Sequence, residues 1–364
     1  MIETILQKEQ LSHADLCTLL ATKDRRDMDA LFAAAYQTKL KYVGNKVYYR
    51  GLIEFSNVCT KDCYYCGIRS SNTNVLSFNM SEDEIVEAAI WTWKNRYGSV
   101  TLQSGEREDA DFTDFVERLI LRINEETNNE LGITLCIGEQ EREVYERWFA
   151  AGSHRYLLRI ETTNPELFAK IHPQDGNHNF ERRLACIKTL QEVGFQVGTG
   201  VMIGLPGQTI EDLANDIMFF KAHNIDMIGM GPYIVSSDTP MGQEVLAAGG
   251  NSAKAKRERF LLGLKMVAVT RLYLKDVNIA ATTALQALNP VGREKGLQAG
   301  ANILMPIVTT EGYRENYQLY DEKPCVEDTA DECKDCLAAR VTSVGDEIGF
   351  GERGDSPHFF DRQG

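Results

Sequence analysis

The sequence lacks the features that would tie a protein to a membrane or to nucleic acid. No apolar run approaches the roughly 20 residues that span a bilayer, and the N-terminus has no basic segment followed by an apolar one, so we expect no secretory signal. Positive charge is scarce, because 39 Lys and Arg face 53 Asp and Glu and leave a net charge of −14. Since binding of the phosphate backbone requires a basic surface, this negative net charge argues against a nucleic-acid partner.

Nine cysteines stand out in an otherwise ordinary composition. The chain has 364 residues, of which 43% are hydrophobic and 25% are charged, as in soluble globular proteins. An odd number of cysteines cannot all pair within one chain. We therefore expect a reducing, cytoplasmic compartment, in which clustered cysteines hold metal more often than they form disulfides.

Short apolar runs alternate with segments of helical periodicity along most of the chain. Ser81 and Glu84, for example, have the spacing of a capping box at the start of a helix expected over residues 81–95. The apolar runs occupy residues 48–56, 99–105, 132–138, 155–162, 196–204, 226–234, 278–285 and 301–308. This alternation predicts an α/β fold, a (β/α)8 TIM barrel, and leaves a doubly wound open sheet as the alternative.

The same alternation suggests how the chain is divided. Residues 1–47 are expected to form an N-terminal helical segment, in which Ser12 is a candidate N-cap. Residues 48–310 would form the barrel, and residues 311–364 a C-terminal extension whose Gly-rich, charged end wraps the surface. A closed barrel with an internal cavity indicates a monomer.

Three cysteines lie within eight residues directly after the first predicted strand. Cys59, Cys63 and Cys66 occur in CTKDCYYC, and loop thiolates at this spacing can converge on one metal centre. Three protein ligands leave one coordination position of the metal centre open, which suits a cofactor that must also bind another molecule. A zinc site would more naturally pair CxxC with His, and no His lies near this loop in the sequence. Three unrelated buried thiols are the structural alternative.

CxxxCxxC after a first strand, with Tyr65 before the last Cys, resembles the radical S-adenosylmethionine (SAM) superfamily. The resemblance implies a [4Fe–4S] cluster on Cys59, Cys63 and Cys66, whose fourth iron is chelated by SAM. One-electron reduction, from a donor such as ferredoxin or flavodoxin, then cleaves SAM to methionine and a 5′-deoxyadenosyl radical. The cofactor supplies this chemistry, and the protein supplies positioning and exclusion of water.

The resemblance also assigns SAM contacts at the ends of later strands. The implied residues are Tyr65, Gly105, Glu106, Arg159, Glu161, Arg183, Ile203 and Gly204. In this assignment Glu106 meets the amino group, Glu161 the ribose and Arg183 the carboxylate, while the backbone at 203–204 meets the adenine. Plain structural alternatives are a turn at Gly105, a rim ion pair between Arg159 and Glu161, and a solvated helix face at Arg183.

A second cysteine group occurs near the C-terminus. Cys325, Cys333 and Cys336 form a Cx7CxxC pattern. An accessory iron–sulfur cluster is one interpretation, and a zinc or disulfide remnant, or no site at all, is the other. The remaining three cysteines are expected to be lone thiols.

Stretches from about residue 48 to residue 336 resemble, in order and content, the [FeFe]-hydrogenase maturase E family. Among them are LQSGE, GEQEREVYERW, GLPGQTIEDL and GANILMP. Methylornithine synthase and biotin synthase are further relatives, but biotin synthase fits less well because only Cys136 lies on a predicted strand. The resemblance implies H-cluster assembly on a cysteine-bound iron carbonyl cyanide precursor, with maturases F and G as partners. A radical SAM enzyme acting on a free amino acid and a non-catalytic iron–sulfur carrier are the alternatives.

A substrate cavity inside the barrel is also implied. Its candidate lining residues are Thr134, Met230, Pro232, Thr282, Thr283, Met305, Tyr313, Arg314 and Tyr317. Thr282 and Thr283 can donate to an anion, and Arg159 can bind a carboxylate with two hydrogen bonds. Each residue also has an ordinary structural role as filler of a barrel layer. Ile160 stands where some members of the family carry His, which affects substrate identity more than reaction class.

Overall fold

Strands and helices alternate along the computed structural model, which describes residues 2–363. The strands are Lys46–Ser56 (β1), Ser99–Ser104 (β2), Gly132–Cys136 (β3), Arg155–Leu157 (β4), Gln196–Thr199 (β5), Met202–Ile203 (β6), Met227–Ile228 (β7), Gly231–Pro232 (β8), Asn278–Ile279 (β9), Ile303–Leu304 (β10) and Glu347–Ile348 (β11). The helices are Glu3–Leu6 (α1), His13–Ala21 (α2), Arg25–Tyr42 (α3), Glu82–Lys94 (α4), Ala110–Glu126 (α5), Arg142–Ala150 (α6), Pro165–Ile171 (α7), Phe180–Val193 (α8), Ile210–Ala222 (α9), Pro240–Ala247 (α10), Ala253–Leu274 (α11), Thr283–Leu288 (α12), Gly292–Gln298 (α13), Glu311–Arg314 (α14), Ala330–Ser343 (α15) and Pro357–Asp361 (α16).

The parallel strands follow one another around a ring in chain order. The sheet runs β10-β1-β2-β3-β4-β5-β7-β9, and β6 pairs with β8 as a continuation of β5 and β7. A bridge between Ala280 and Ile303 joins the end of β9 to β10. A doubly wound sheet would reverse its strand order at a switch point, and this ring does not. The predicted (β/α)8 fold is therefore confirmed.

Alternation along each strand separates the barrel interior from the helical layer. On β2, Val100 and Leu102 belong to the apolar core against the helices, whereas Thr101 and Gln103 face the interior. The helices pack apolar stripes against this outer face of the sheet; in α5, for example, positions 116, 119, 120 and 123 are all buried. The predicted capping box at Ser81 is present at the start of α4.

The N-terminal helices pack on the outside of the barrel. Ser12 caps α2 as predicted, in a reciprocal capping box with Asp15. Helix α3 packs against α11, and its Lys39 makes a buried ion pair with Asp346 at 2.5 Å. This pair joins the N-terminal helices to the segment that leads into β11. Among residues 2–363, none of the helices combines the length and apolarity needed to cross a bilayer.

The C-terminal tail enters the amino end of the barrel. Gly354 O accepts hydrogen bonds from Arg50 Nη2 at 3.2 Å and from Asn278 Nδ2 at 2.9 Å. Asp355 pairs with the fully buried Arg155 at 2.5 Å. The expected surface-wrapping tail is thus partly internal, because two inward-facing arginines require polar partners in a closed barrel end.

Candidate active site

The first cysteine loop is anchored to the end of β2. Cys59 Sγ accepts the backbone N–H groups of Lys61 at 3.4 Å and Glu106 at 3.3 Å. A Cβ on Gly105 would lie 2.2 Å from the carbonyl oxygen of Val58, so only glycine allows this close approach. The structure therefore gives Gly105 a definite part in holding the cysteine loop.

The three thiols of this loop are partly buried. Burial raises the pKa of Cys59 and Cys63, and it raises the pKa of Cys66 to about 12. The negative charges of neighbouring cysteines add to this effect at Cys63 and Cys66, which shows how closely the sulfurs are grouped. Iron must therefore displace protons when it binds, as at other thiolate sites.

Two histidines lie behind the cysteine loop, although neither is near it in the sequence. Tyr65 OH donates to His172 Nε2 at 3.3 Å, while His172 Nδ1 donates to Phe168 O at 2.8 Å. His178 Nε2 accepts the backbone N–H of Asp62 at 3.0 Å. These protonation states are assigned from the partners. Because the nitrogens facing the loop are already used, the histidines support the loop instead of offering metal ligands.

A buried charge network lies beside the cysteine loop. Arg183 Nε donates to Glu139 Oε1 at 2.5 Å, and Arg183 Nη2 donates to Glu106 Oε2 at 3.2 Å. Lys61 Nζ lies 3.2 Å from a carboxylate oxygen of each glutamate. Burial alone would raise the pKa of Glu139, but Arg183 and Lys61 outweigh it and lower that pKa. The carboxylate of Glu139 is thus held ionised.

Sequence reasoning found Glu106 and Arg183 but missed their partners Lys61 and Glu139. A signal existed for Glu139, which follows Gly138 at the end of β3 in the same Gly-Glu order as residues 105–106 after β2. Gly138 has a φ of +88°, and a Cβ there would lie 2.0 Å from Glu106 Cγ. The two Gly-Glu pairs therefore meet at adjacent strand ends.

Arg159 and Glu161 follow β4, which ends earlier than the sequence predicted. Their charged groups lie 3.0 Å apart. Glu161 has a φ of +66°, a left-handed conformation that costs energy for a residue other than glycine and is common at functional sites. Its backbone is held on both sides, since its N–H donates to Gly200 O and its carbonyl accepts from Met202 N.

The expected adenine contact lies where β6 ends. Ile203 O accepts from Tyr233 N at 2.8 Å, and Gly204 N donates to Gln208 Oε1 at 2.7 Å. These two backbone groups are thus already engaged within the chain. The adenine contact at residues 203–204 stays a prediction.

The free groups at this site fit a [4Fe–4S] cluster and SAM. Three thiols at one loop offer soft sulfur ligands, which iron–sulfur clusters take. Within residues 2–363, Glu106 Oε1, Glu161 Oε2 and two nitrogens of Arg159 are buried without a well-directed hydrogen bond, although ion pairs lie at 3.0–3.2 Å. The carboxylate oxygens match an ammonium group and hydroxyl groups as donors. The Arg159 nitrogens match a carboxylate as acceptor, and SAM carries all of these groups.

Comparison with known proteins decides the family. The model of the Radical SAM superfamily matches residues 53–220. The [FeFe] hydrogenase maturase subunit HydE of Thermotoga maritima is 42% identical over 344 residues, which is 94% of each chain. This chain belongs to the HydE family of radical SAM enzymes. The 3-methylornithine synthase of Methanosarcina acetivorans is 25% identical over 88% of this chain and 86% of its own. A crystal structure of methylornithine synthase shares the fold, with a TM-score of 0.79, 22% identity and coverage of 96% and 97% of the two chains.

A strap covers the mouth of the barrel in this HydE-family chain; we define it as residues 316–325. Gly67 N, next to the last cysteine of the first loop, donates to Leu319 O at 2.9 Å. Further along, Asp321 N donates to Val235 O at 3.0 Å, and the Asp321 carboxylate accepts from Ser237 N. The strap therefore runs from the cysteine loop to the segment after β8.

One side chain of the strap reaches into the barrel. Lys323 Nζ lies 2.7 Å from both carboxylate oxygens of Glu54 on β1, and it also donates to Tyr317 O at 2.8 Å. Tyr317 OH accepts from Gln103 Nε2 at 3.2 Å. Tyr317, a predicted substrate contact, thus lies between the strap and the interior. Lys323 and Glu54 were not foreseen, because nothing local in the sequence pairs two residues so far apart.

Two predicted substrate residues line a small cavity inside the barrel. Thr134 and Met305 face it together with Arg50 and Met227. The hydroxyl oxygen of Thr134 accepts from Arg155 Nε at 3.0 Å. These positions agree with an internal cavity, which lies on the amino side of the cysteine loop.

The tandem threonines lie at a helix start and not on a strand. Strand β9 ends at Ile279, Thr282 is the N-cap of α12, and Thr283 begins that helix. Thr282 Oγ1 is buried and has no hydrogen-bond partner among the described residues. Thr283 Oγ1 accepts from Arg293 Nη2 at 3.1 Å. Thr282 therefore retains a free hydroxyl for a ligand.

Two predicted lining residues face the helices instead of the cavity. Met230 Sδ lies 4.0 Å from Thr270 Oγ1 of α11, inside the apolar core. The ring of Pro232 packs against Gly263 of the same helix. Met227 faces the cavity, so alternation along the chain places positions 230 and 232 on the opposite side, toward the helices.

Two further predicted residues lie outside the barrel mouth. Tyr313 OH donates to Glu84 Oε1 of α4 at 2.8 Å. Arg314 is buried, and its guanidinium donates to the carbonyl oxygens of Thr309 at 2.6 Å and Cys325 at 3.2 Å. Arg314 therefore holds the loop that carries the second cysteine group, and it is not part of the cavity wall.

The second cysteine group is brought together by that loop and α15. A hydrogen bond between the two thiols lowers the pKa of Cys333 and raises that of Cys325, so these two sulfurs lie at one site. Cys325 has a φ of +64°, and the exposed Cys336 accepts a hydrogen bond from Arg340 Nε at 3.3 Å. The fold thus gathers the predicted thiols, while the identity of what they bind stays a prediction.

Proposed function

We propose that this chain acts in assembly of the H-cluster of [FeFe] hydrogenase, on a cysteine-bound iron carbonyl cyanide precursor. The observation that carries the proposal is 42% identity to the Thermotoga maritima maturase over 94% of both chains, which spans the cysteine loop, the barrel and the strap. When bound, the [4Fe–4S] cluster supplies the electron that cleaves SAM to methionine and a 5′-deoxyadenosyl radical.

The residues of this chain would bind and orient SAM. Cys59, Cys63 and Cys66 would hold the cluster, since all three lie in one partly buried loop. Glu106 offers a carboxylate oxygen for the amino group, and Glu161 one for the ribose hydroxyls. Arg183 already makes ion pairs with Glu106 and Glu139. It therefore holds these two carboxylates in place and also places positive charge near SAM.

The interior of the barrel would hold the substrate away from water. Among the described residues, Thr282 presents a free buried hydroxyl and Arg159 a buried Nε without a hydrogen-bond partner, while Arg159 Nη2 lies 3.0 Å from Glu161. Since the net charge of the chain is −14, an anionic substrate must be held by such local groups and not by the overall field. The strap, closed by Lys323 and Glu54, limits escape of the radical.

We further propose a second iron–sulfur centre on Cys325, Cys333 and Cys336, a ferredoxin or flavodoxin as electron donor, and maturases F and G as partners. A monomer in a reducing cytoplasm is the setting that suits nine unpaired cysteines. A second candidate function is radical rearrangement of a free amino acid, which the similarity to 3-methylornithine synthase supports. An iron–sulfur carrier without catalysis would not need the SAM-binding groups.

Maturation in vitro tests the proposal. Purified apo-hydrogenase is incubated with maturases F and G, SAM, a reductant and this chain as the only source of maturase E. We expect hydrogen evolution with the parent chain and none with Cys63→Ala. If the parent cleaves SAM but yields no active hydrogenase, the substrate assignment is wrong, and screening of free amino acids for radical products tests the second candidate.

A further inference from the structure

Arg293 is a buried cation without a carboxylate partner in the part of the chain that the structure describes. Only 1% of its surface is exposed. Its Nη2 donates to Thr283 Oγ1 at 3.1 Å, while Nε and Nη1 are buried without a hydrogen-bond partner among the described residues. No carboxylate of residues 2–363 forms an ion pair with it. An uncompensated buried charge is costly, so the fold must keep this arginine for a negative partner.

The groups that face Arg293 belong to the second cysteine group and its surroundings. Helix α13, which carries Arg293, packs against α15, which carries Cys333 and Cys336. The buried hydroxyl of Tyr49 on β1 has no hydrogen-bond partner among the described residues. Gln286 donates to Cys325 Sγ at 3.9 Å. Arg293 and unused polar groups thus converge on two sulfurs.

Two more guanidinium groups border the same sulfurs. Arg340 Nε donates to Cys336 Sγ at 3.3 Å, although Arg340 also pairs with Glu294. The charge of Arg314 acts on Cys333 as well. Of these arginines, Arg293 alone is both fully buried and left with unpartnered nitrogens. Neutral thiols, or a disulfide between them, would leave its charge uncompensated.

A metal centre ligated by several thiolates carries negative charge, which a low-dielectric site must balance. We propose that Arg293 is a positioning residue that balances the charge of a metal–thiolate centre on Cys325, Cys333 and Cys336. By favouring the more negative, reduced form, Arg293 raises the reduction potential of that centre. This inference rests on the second iron–sulfur centre proposed above.

A redox titration followed by electron paramagnetic resonance tests the proposal. The full chain is reconstituted anaerobically with iron and sulfide as the parent, Arg293→Gln, Arg293→Lys and Cys333→Ser. Addition of SAM changes the signal of the first cluster and so identifies it; the second signal is the one that SAM leaves unchanged and that Cys333→Ser lacks. The SAM response also reports that each variant is folded.

We expect the second signal to shift to a lower potential, or to lose iron, in Arg293→Gln, and Arg293→Lys to restore most of the parent value. Arg340→Gln, which removes a solvent-screened charge at the same site, should shift the potential less. If Arg293→Gln does not fold, Arg293→Met fills the space without a buried polar group and takes its place.

Two results would overturn the inference. One is an unchanged potential and iron content in the folded neutral variant. The other is a parent chain without a second signal, or with a disulfide between Cys325 and Cys333 after reconstitution. Neither result bears on hydrogenase maturation, which the maturation assay measures separately.

Discussion

The ion pair between Lys323 and Glu54 offers the sharpest test of the strap. Their side chains are 6% and 2% exposed, and Lys323 Nζ lies 2.7 Å from both oxygens of Glu54. Lys323→Met keeps the length of the side chain but leaves the carboxylate buried alone. Removing one partner of a buried pair costs about 3–5 kcal/mol. We expect a loss of that order in the free energy of unfolding.

The pKa of Glu54 limits how much free energy of unfolding Lys323→Met can lose. Burial raises this pKa, and the charge of Lys323 partly offsets the rise. Without Lys323 the carboxyl group takes up a proton more easily, so the loss should be smaller at low pH than at neutral pH. Hydrogen exchange across residues 316–325 should become faster, because the strap loses the ion pair that fastens it to β1.

Lys256→Met is the matched control, since it breaks another lysine–glutamate pair of the same strap. Lys256 and Glu322 lie 2.8 Å apart with side chains 27% and 65% exposed, and such surface pairs contribute about 0–1 kcal/mol. Urea unfolding of both variants, of Glu54→Gln, and of Lys323→Met combined with Glu54→Gln gives the coupling energy of the buried pair. Equal, small losses in Lys323→Met and Lys256→Met would refute the reasoning.

Other predictions concern the two cysteine groups and two buried carboxylates. Cys63→Ala should abolish SAM cleavage while Cys333→Ala largely retains it, as measured by 5′-deoxyadenosine formation; the reverse order would contradict the ligand assignment. Glu139→Gln should raise the KM for SAM about tenfold with a smaller change in kcat, since it loosens a charge-assisted hydrogen bond to Arg183. Burial raises the pKa of Asp216 to about 7, so the free energy of unfolding should fall as pH rises from about 4 to 7. Denaturation at several pH values should show this slope in the parent and not in Asp216→Asn.

Local patterns were enough to predict the barrel and the first cysteine loop. Strand β2 alternates Val100 and Leu102 outward with Thr101 inward, and its ends coincide with the predicted run. The close spacing of Cys59, Cys63 and Cys66 survives folding because one loop carries all three residues. Such short-range signals need no knowledge of the rest of the fold.

The errors arose where the inside and outside of the barrel depend on distant contacts. Met230 lies three residues after the inward-facing Met227 and so turns toward α11, but which of the two faces inward is fixed only by how the closed barrel seats β7. Thr282 and Thr283 suit a strand by propensity, yet β9 is short and Thr282 caps a helix. The pairing of Lys323 with Glu54 joins residues that only the closed barrel brings together.

Anaerobic SAM cleavage tests the central claim most directly. The parent chain is reconstituted with iron and sulfide, reduced with dithionite and given SAM, and 5′-deoxyadenosine is measured by chromatography and mass spectrometry. The account predicts formation of 5′-deoxyadenosine and methionine by the parent, and none by the chain with Cys59, Cys63 and Cys66 all changed to alanine. A fully iron-loaded parent that forms no 5′-deoxyadenosine would contradict it.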